Sequence, residues 1–233
     1  MPAPDIAREP DPVVAVVLDR THARFFEVSG ARVVEVAGMV SPGTRGGRFH
    51  SDREDAPGGG EHSYHQRLRE EERRHFAAIA HRLLELKRTR GARGLLVAGP
   101  GPVPQAFRRT LPEGLAARVI GTAHLNPLEV TAPAVRRAAL RARQAYLRGV
   151  ESDLVAALRD GIGTGWAVNG APQVVDALQQ RRARVLLVSG GAAGDATSAM
   201  AEARRQGVPT CLVRGAGAAQ VDGVAALLRY REA

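Results

Sequence analysis

The chain has 233 residues, 44% hydrophobic and 24% charged, which suits one large or two modest globular domains. No apolar run approaches the roughly 18 residues that span a membrane, no signal-peptide pattern opens the sequence, and a lone Cys211 excludes an intrachain disulfide or a Cys-based zinc site. A cytoplasmic location follows by default. The net charge of +9, with a pI near 11.1, points to a polyanionic partner.

Lys87 is the only lysine. Genome composition can favour Arg over Lys, but it does not explain the shortage of acids.

Residues 1–12, with Pro2, Pro4, Pro10 and Pro12, read as a disordered leader. Val13 to Leu18 is an apolar run suited to a strand buried on both faces. Asp19 to His22 makes a polar turn. Ala23–Val28 and Arg32–Val36 are β-rich runs joined through Ser29-Gly-Ala31, a hairpin signature. Three sequential antiparallel strands are therefore expected to open the fold.

From Ser41 to Gly60 the chain is aperiodic and rich in Gly, Asp and Arg, ending in Pro57-Gly-Gly-Gly60. A segment this long inside a domain is usually functional or disordered. A helix from Glu61 is expected next, packing by Phe76, Ile79, Ala80, Leu83 and Leu84. Its first half, to His75, is polar nearly all round, so it is expected to reach into solvent.

A strand at Gly94–Ala98, a short helix at Pro102–Arg109 and a strand at Ala117–Ile120 come next. A long helix over 131–160 then has Thr131 as a cap, Pro133 in its first turn and Gly161 as its end. Between residues 131 and 150 it carries Arg136, Arg137, Arg141, Arg143 and Arg148 and no acid. Strands at Trp166–Val168, Val185–Val188 and Pro209–Val213 alternate with helices at Ala171–Arg181, Ala196–Gln206 and Val221–Arg231. That rhythm predicts a mostly parallel sheet with helices on both faces.

Gly58-Gly-Gly60 before a helix is an anion-binding geometry, but neither a P-loop nor a dinucleotide fingerprint completes it. Arg67 to Arg74 mixes signs at i,i+3 and i,i+4, which supports a solvated helix whose arginines remain available to RNA phosphates. His62, His65 and His75 do not share a helical face, so no metal is expected. Asp19 and Glu35 are too few for a two-metal nuclease. Ser189-Gly-Gly191 before Asp195 is a strand-to-helix turn, without a histidine to make a Ser-His-Asp site. Cys211, flanked by apolar residues, is read as a buried, inert thiol. No catalytic residue and no cofactor are assigned.

Several of these segments together carry a family resemblance. Gly59-Gly-Glu61, then Arg67, Arg69, Glu71 or Glu72, and Arg73-Arg-His75 resemble the Gly-Gly-Gln loop and basic helix of archaeo-eukaryotic peptide-chain release factors and Pelota. Ala167-Val-Asn-Gly170, Val174 to Leu178 and Arg184 to Val188 are similar to the opening of that superfamily's C-terminal domain. Val221 to Tyr230 resembles its closing segment, glycines running into Leu-Leu-Arg-Tyr. The likeness covers 13–233 and identifies a bacterial branch of the superfamily, middle and C-terminal domains only.

The resemblance implies an α/β protein of two domains. A mixed-sheet middle domain (13–130) would be joined by a bridging helix (131–160) to a smaller α/β domain (161–233). It implies a ribosome-binding factor for idle or stalled ribosomes, of hibernation or rescue type. The loop Gly58, Gly59, Gly60 and Glu61 would face the peptidyl-transferase centre. Arg67, Arg69, Arg73, Arg74, Arg136 and Arg137 would contact rRNA phosphates, and a translational GTPase such as elongation factor Tu would be a partner; no DNA or membrane contact is expected. The family's codon-reading domain is expected to have no counterpart in this sequence, and Glu61 stands where the family has glutamine. A carboxylate there brings negative charge towards a developing oxyanion, so the shape fits better than hydrolytic chemistry does. Peptidyl-tRNA hydrolysis in rescue or release is the alternative, and a non-ribosomal RNA-binding or scaffold module the third.

Overall fold

The computed structural model describes residues 12–41, 59–191 and 195–231, with the backbone alone at 59–64 and 195. The chain divides into two compact units between Gln144 and Ala145.

In the N-terminal unit β1 (Val13–Leu18), β2 (His22–Ser29), β3 (Arg32–Val40), β4 (Gly94–Ala98) and β5 (Val119–Ala123) form one sheet in the order β3-β2-β1-β4-β5. The first three strands pair antiparallel, as expected, and β1-β4-β5 pair parallel. Gly30, at φ 55, supplies the positive φ for the β2–β3 turn. Every residue of β1 and β4 is buried, because both lie inside the sheet and both sheet faces are covered. Residues 42–58 lie outside the described set.

Helix α1 (Gly59–Arg90) begins two residues before the expected Glu61, so Gly59 and Gly60 are helical. Its C-terminal half packs Phe76, Ile79, Ala80, Leu83 and Leu86 against Val14, Val16, Leu18 and Phe25. Leu84 was expected in this stripe but is 41% exposed. At 100° per residue, Leu86 falls nearer the centre of the Ile79–Leu83 face than Leu84 does. The same face carries α2 (Val103–Thr110) and the short α3 (Glu113–Ala116), which sequence patterning missed.

Helix α4 (Ala132–Ile162) lies on the other face along its first half, where a Cβ at Gly121 of β5 would meet Ala142 Cβ at 3.0 Å. In the C-terminal unit β6 (Ala167–Asn169), α5 (Ala171–Gln179), β7 (Ala183–Ser189), α6 (Asp195–Arg205) and β8 (Thr210–Val213) follow. Gly161 does not end α4. A Cβ on it would stand 2.8 Å from Ala167 Cβ, so the absent side chain admits the start of β6.

Two expectations fail here. Residues from Val221 do not form a helix: a 3₁₀ turn (Gly215–Gln220) leads to β9 (Val224–Leu228), which is fully buried. The sheet order is β6-β9-β7-β8, with β9 antiparallel to both neighbours and only β7–β8 parallel. Val-Ala-Ala-Leu-Leu favours helix intrinsically. A five-residue run apolar on every side is nonetheless too short for a helix and suits a central strand, and Gly223 at φ 68 breaks the chain before it. Helices do cover both faces, α5 and α6 on one and the second half of α4 on the other.

Candidate functional site

Between His65 and His75, α1 borders a cleft of about 690 Å³ lined by Arg20, Thr21, Ser41, His65, Leu68, Arg69, Glu71, Glu72, Arg74 and His75. One wall is the β1–β2 turn. Asp19 Oδ1 accepts from Thr21 N–H at 2.7 Å, His22 N–H at 2.6 Å and Thr21 Oγ at 3.2 Å. Burial raises the Asp19 pKa, but these bonds and the nearby His22 outweigh it and leave it below the usual value. Asp19 is therefore a turn former.

His75 is 2% exposed, on the buried side of α1. Its Nδ1 lies 2.6 Å from Ser41 Oγ, and Ser41 N–H donates to Thr21 O at 2.7 Å. Nε2 is buried without a hydrogen bond of good geometry. Burial lowers the His75 pKa, partly offset by the nearby backbone of His22 and Asp19 and the Asp19 charge. Ser41, at the entry to the glycine-rich segment, is thus fastened both to the turn and to α1. Sequence patterning grouped His75 with the polar half. Its position one turn before Ile79 on the packing stripe is the signal that places it inside.

On the solvent side Glu70 accepts from Arg73 Nε and Nη2, both at 2.9 Å, and from Arg74 Nε at 3.1 Å. The Arg73 bonds, aided by Arg74, hold the Glu70 pKa at about 2. Arg67 and Arg69 are also exposed. Arg136 and Arg137 are exposed on α4. That helix covers the opposite face of the sheet, so the fold does not gather them with the α1 arginines. Gly59, Gly60 and Glu61 form the first turn of α1, and Gly58 lies outside the described residues.

Glu35 has a structural partner. Arg24 donates to both its carboxylate oxygens at 2.8 Å, reaches Pro127 O at 3.2 Å and Val130 O at 3.0 Å, and stacks 5.2 Å over Phe26. Cys211 is half-buried, and burial and the Glu151 charge push its thiol up, which disfavours the nucleophilic thiolate. Among the described residues no group of three His, Cys, Asp or Glu is placed to hold a metal, and no helix is long and apolar enough to cross a membrane.

The α/β fold of the two units is similar to that of Pelota-like proteins. A ribosome-bound archaeal Pelota, solved with ABCE1, matches at TM-score 0.59 and 21% identity over 97% of this chain and 63% of its own. Dom34 of S. cerevisiae, a translation termination-like factor, matches at TM-score 0.60 and 14% identity over 98% of this chain and 66% of its own. The chain spans less than two thirds of those proteins' length. At such identities the likeness defines the fold. The family model for bacterial archaeo-eukaryotic release factor family 10 matches residues 4–144, and the chain belongs to that family. No curated protein matches it.

Proposed function

We propose that this protein is a ribosome-binding translation factor acting on idle or stalled ribosomes, of hibernation or rescue type. One observation carries the reading. In a chain of the release-factor family, α1 opens with Gly59-Gly-Glu61 and continues through exposed arginines before its buried half begins. Gly58 to Glu61 is directed towards the peptidyl-transferase centre. Arg67, Arg69, Arg73 and Arg74 take rRNA phosphates, a sequence-independent attraction that weakens with salt. Arg136 and Arg137 make a separate rRNA contact. The C-terminal unit docks a translational GTPase such as elongation factor Tu. Support comes from the ribosome-bound Pelota of the same fold and from Dom34, which is described as interacting with Hbs1.

Sedimentation of the full chain with ribosomes from growing and starved cells tests this. Comigration that is stronger after starvation and weaker in moderate salt supports it, and absence from ribosomes in every state overturns it. The hydrolytic alternative rests on the backbone amide of residue 61, which a side-chain change leaves in place. Robust peptidyl-tRNA release by the wild-type chain would establish that alternative. No release from either wild type or Glu61→Gln would remove it.

A further inference from the structure

At one end of the C-terminal sheet α5 and α6 finish, β7 begins and β9 ends. Arg181, Arg205 and Arg229 there line a polar cleft of about 530 Å³ with Gln179, Glu202 and Gln206. Glu202 is the one acid in it, and Arg205 and Gln206 hydrogen-bond its carboxylate. One carboxylate faces three guanidinium groups, so the cleft carries an excess of positive charge.

Arg181 has φ 55 and is the only non-glycine at positive φ among the described residues. It occupies the residue after the α5 cap, where its N–H donates to Leu178 O at 2.9 Å and Arg182 N–H to Ala177 O at 2.8 Å. Glycine is favoured at this place because a Cβ is strained there. The backbone gains nothing from an arginine, whereas its side chain lines the cleft and its charge acts on Glu202.

Two exposed aromatics belong to the backbone next to Arg229. Trp166, 46% exposed, accepts the Leu228 N–H through its carbonyl at 2.9 Å, next to the end of β9. Tyr230, 60% exposed, sits between Arg229 and Arg231, and Arg231 Nε donates to Thr164 O at 3.0 Å. Aromatic rings interleaved with arginines are the chemistry of single-stranded nucleic-acid binding: rings stack on unpaired bases while guanidinium groups take the phosphates. A protein-docking surface is instead built round a desolvated apolar centre depleted of charge. We infer that this end of the C-terminal unit binds single-stranded RNA, through Arg181, Arg229 and Arg231 on phosphates and Trp166 and Tyr230 on bases.

Trp166 is the only tryptophan, so its fluorescence reports on this site alone. The full chain is titrated with a single-stranded oligouridylate of about 12 nucleotides, with a duplex RNA of equal length, and with an oligoglutamate peptide. The single strand is expected to quench Trp166 saturably, with affinity falling about tenfold between roughly 50 and 200 mM salt. Arg181→Gly and Tyr230→Ala should each weaken that affinity about tenfold. Because glycine suits φ 55, Arg181→Gly should leave the unfolding midpoint equal or higher.

Absence of saturable quenching by the single strand overturns the inference. So does equal binding of the duplex, which is phosphate attraction without stacking, or quenching by oligoglutamate alone, which marks a site for acidic protein. Unchanged affinity in both variants also overturns it. None of these outcomes depends on ribosome sedimentation, which tests the proposed function separately.

Discussion

His75 Nδ1 and Ser41 Oγ lie 2.6 Å apart and join the buried half of α1 to the point where the chain enters the glycine-rich segment. The bond unites two residues separated by 34 positions and stands beside the Asp19–His22 turn. The packing of α1 and the exit of β3 therefore share one polar contact in an otherwise apolar core.

That contact predicts a pH dependence. Burial holds the His75 pKa below its ordinary 6.5, so the unfolded chain binds the proton more readily. Stability from this source is full above pH 6.5 and declines as pH falls below it towards the folded-state value. The lowered carboxylates of Asp19 and Glu35 act later, below their ordinary 3.8 and 4.5. Urea midpoints measured across pH should fall in two stages, and His75→Gln should abolish the first while keeping the second. A single stage in the wild-type chain would refute the assignment.

Arg24 ties Glu35 on β3 to the carbonyls of Pro127 and Val130. Removing Arg24 leaves those acceptors unpaired, and Arg24→Ala should cost about 1–2 kcal/mol after allowance for the partial exposure of the pair. Arg24→Lys should recover little, since an ammonium lacks the planar fork that reaches three partners. Urea denaturation of both variants checks this.

A Cβ at Gly99 would clash with the backbone carbonyl oxygen of Leu18, the last residue of β1. Gly99→Ala should destabilise the N-terminal unit by about 1–3 kcal/mol. Hydrogen exchange in β1 and β4 should rise in this variant, while exchange in the C-terminal sheet should not.

Glu70 is held ionised between Arg73 and Arg74 and neutralises part of the α1 surface. Glu70→Gln should tighten ribosome binding. Arg73→Gln with Arg74→Gln should weaken it and flatten its salt dependence by roughly one unit of slope for each lost phosphate contact. Sedimentation across a salt series reads both effects.

Residue order alone determined two of the buried strands and where the two long helices run. Val13–Leu18 and Gly94–Ala98 are apolar on both faces, and the Phe76–Leu83 spacing has one helical reading. The glycine segment before an arginine-rich half-helix also pointed to the family. Tertiary structure decided what local pattern leaves open. Val224–Leu228 is a strand because it is buried between β6 and β7, where a ladder satisfies its backbone and five apolar side chains leave water. The fold brings Ser41 to His75 across 34 positions, and Arg136 and Arg137 are set apart from the α1 arginines by a sheet that only the fold assembles. Local preference is worth tenths of a kcal/mol per residue, whereas burial and hydrogen-bond pairing are worth about one or more each, so the tertiary term prevails where they disagree.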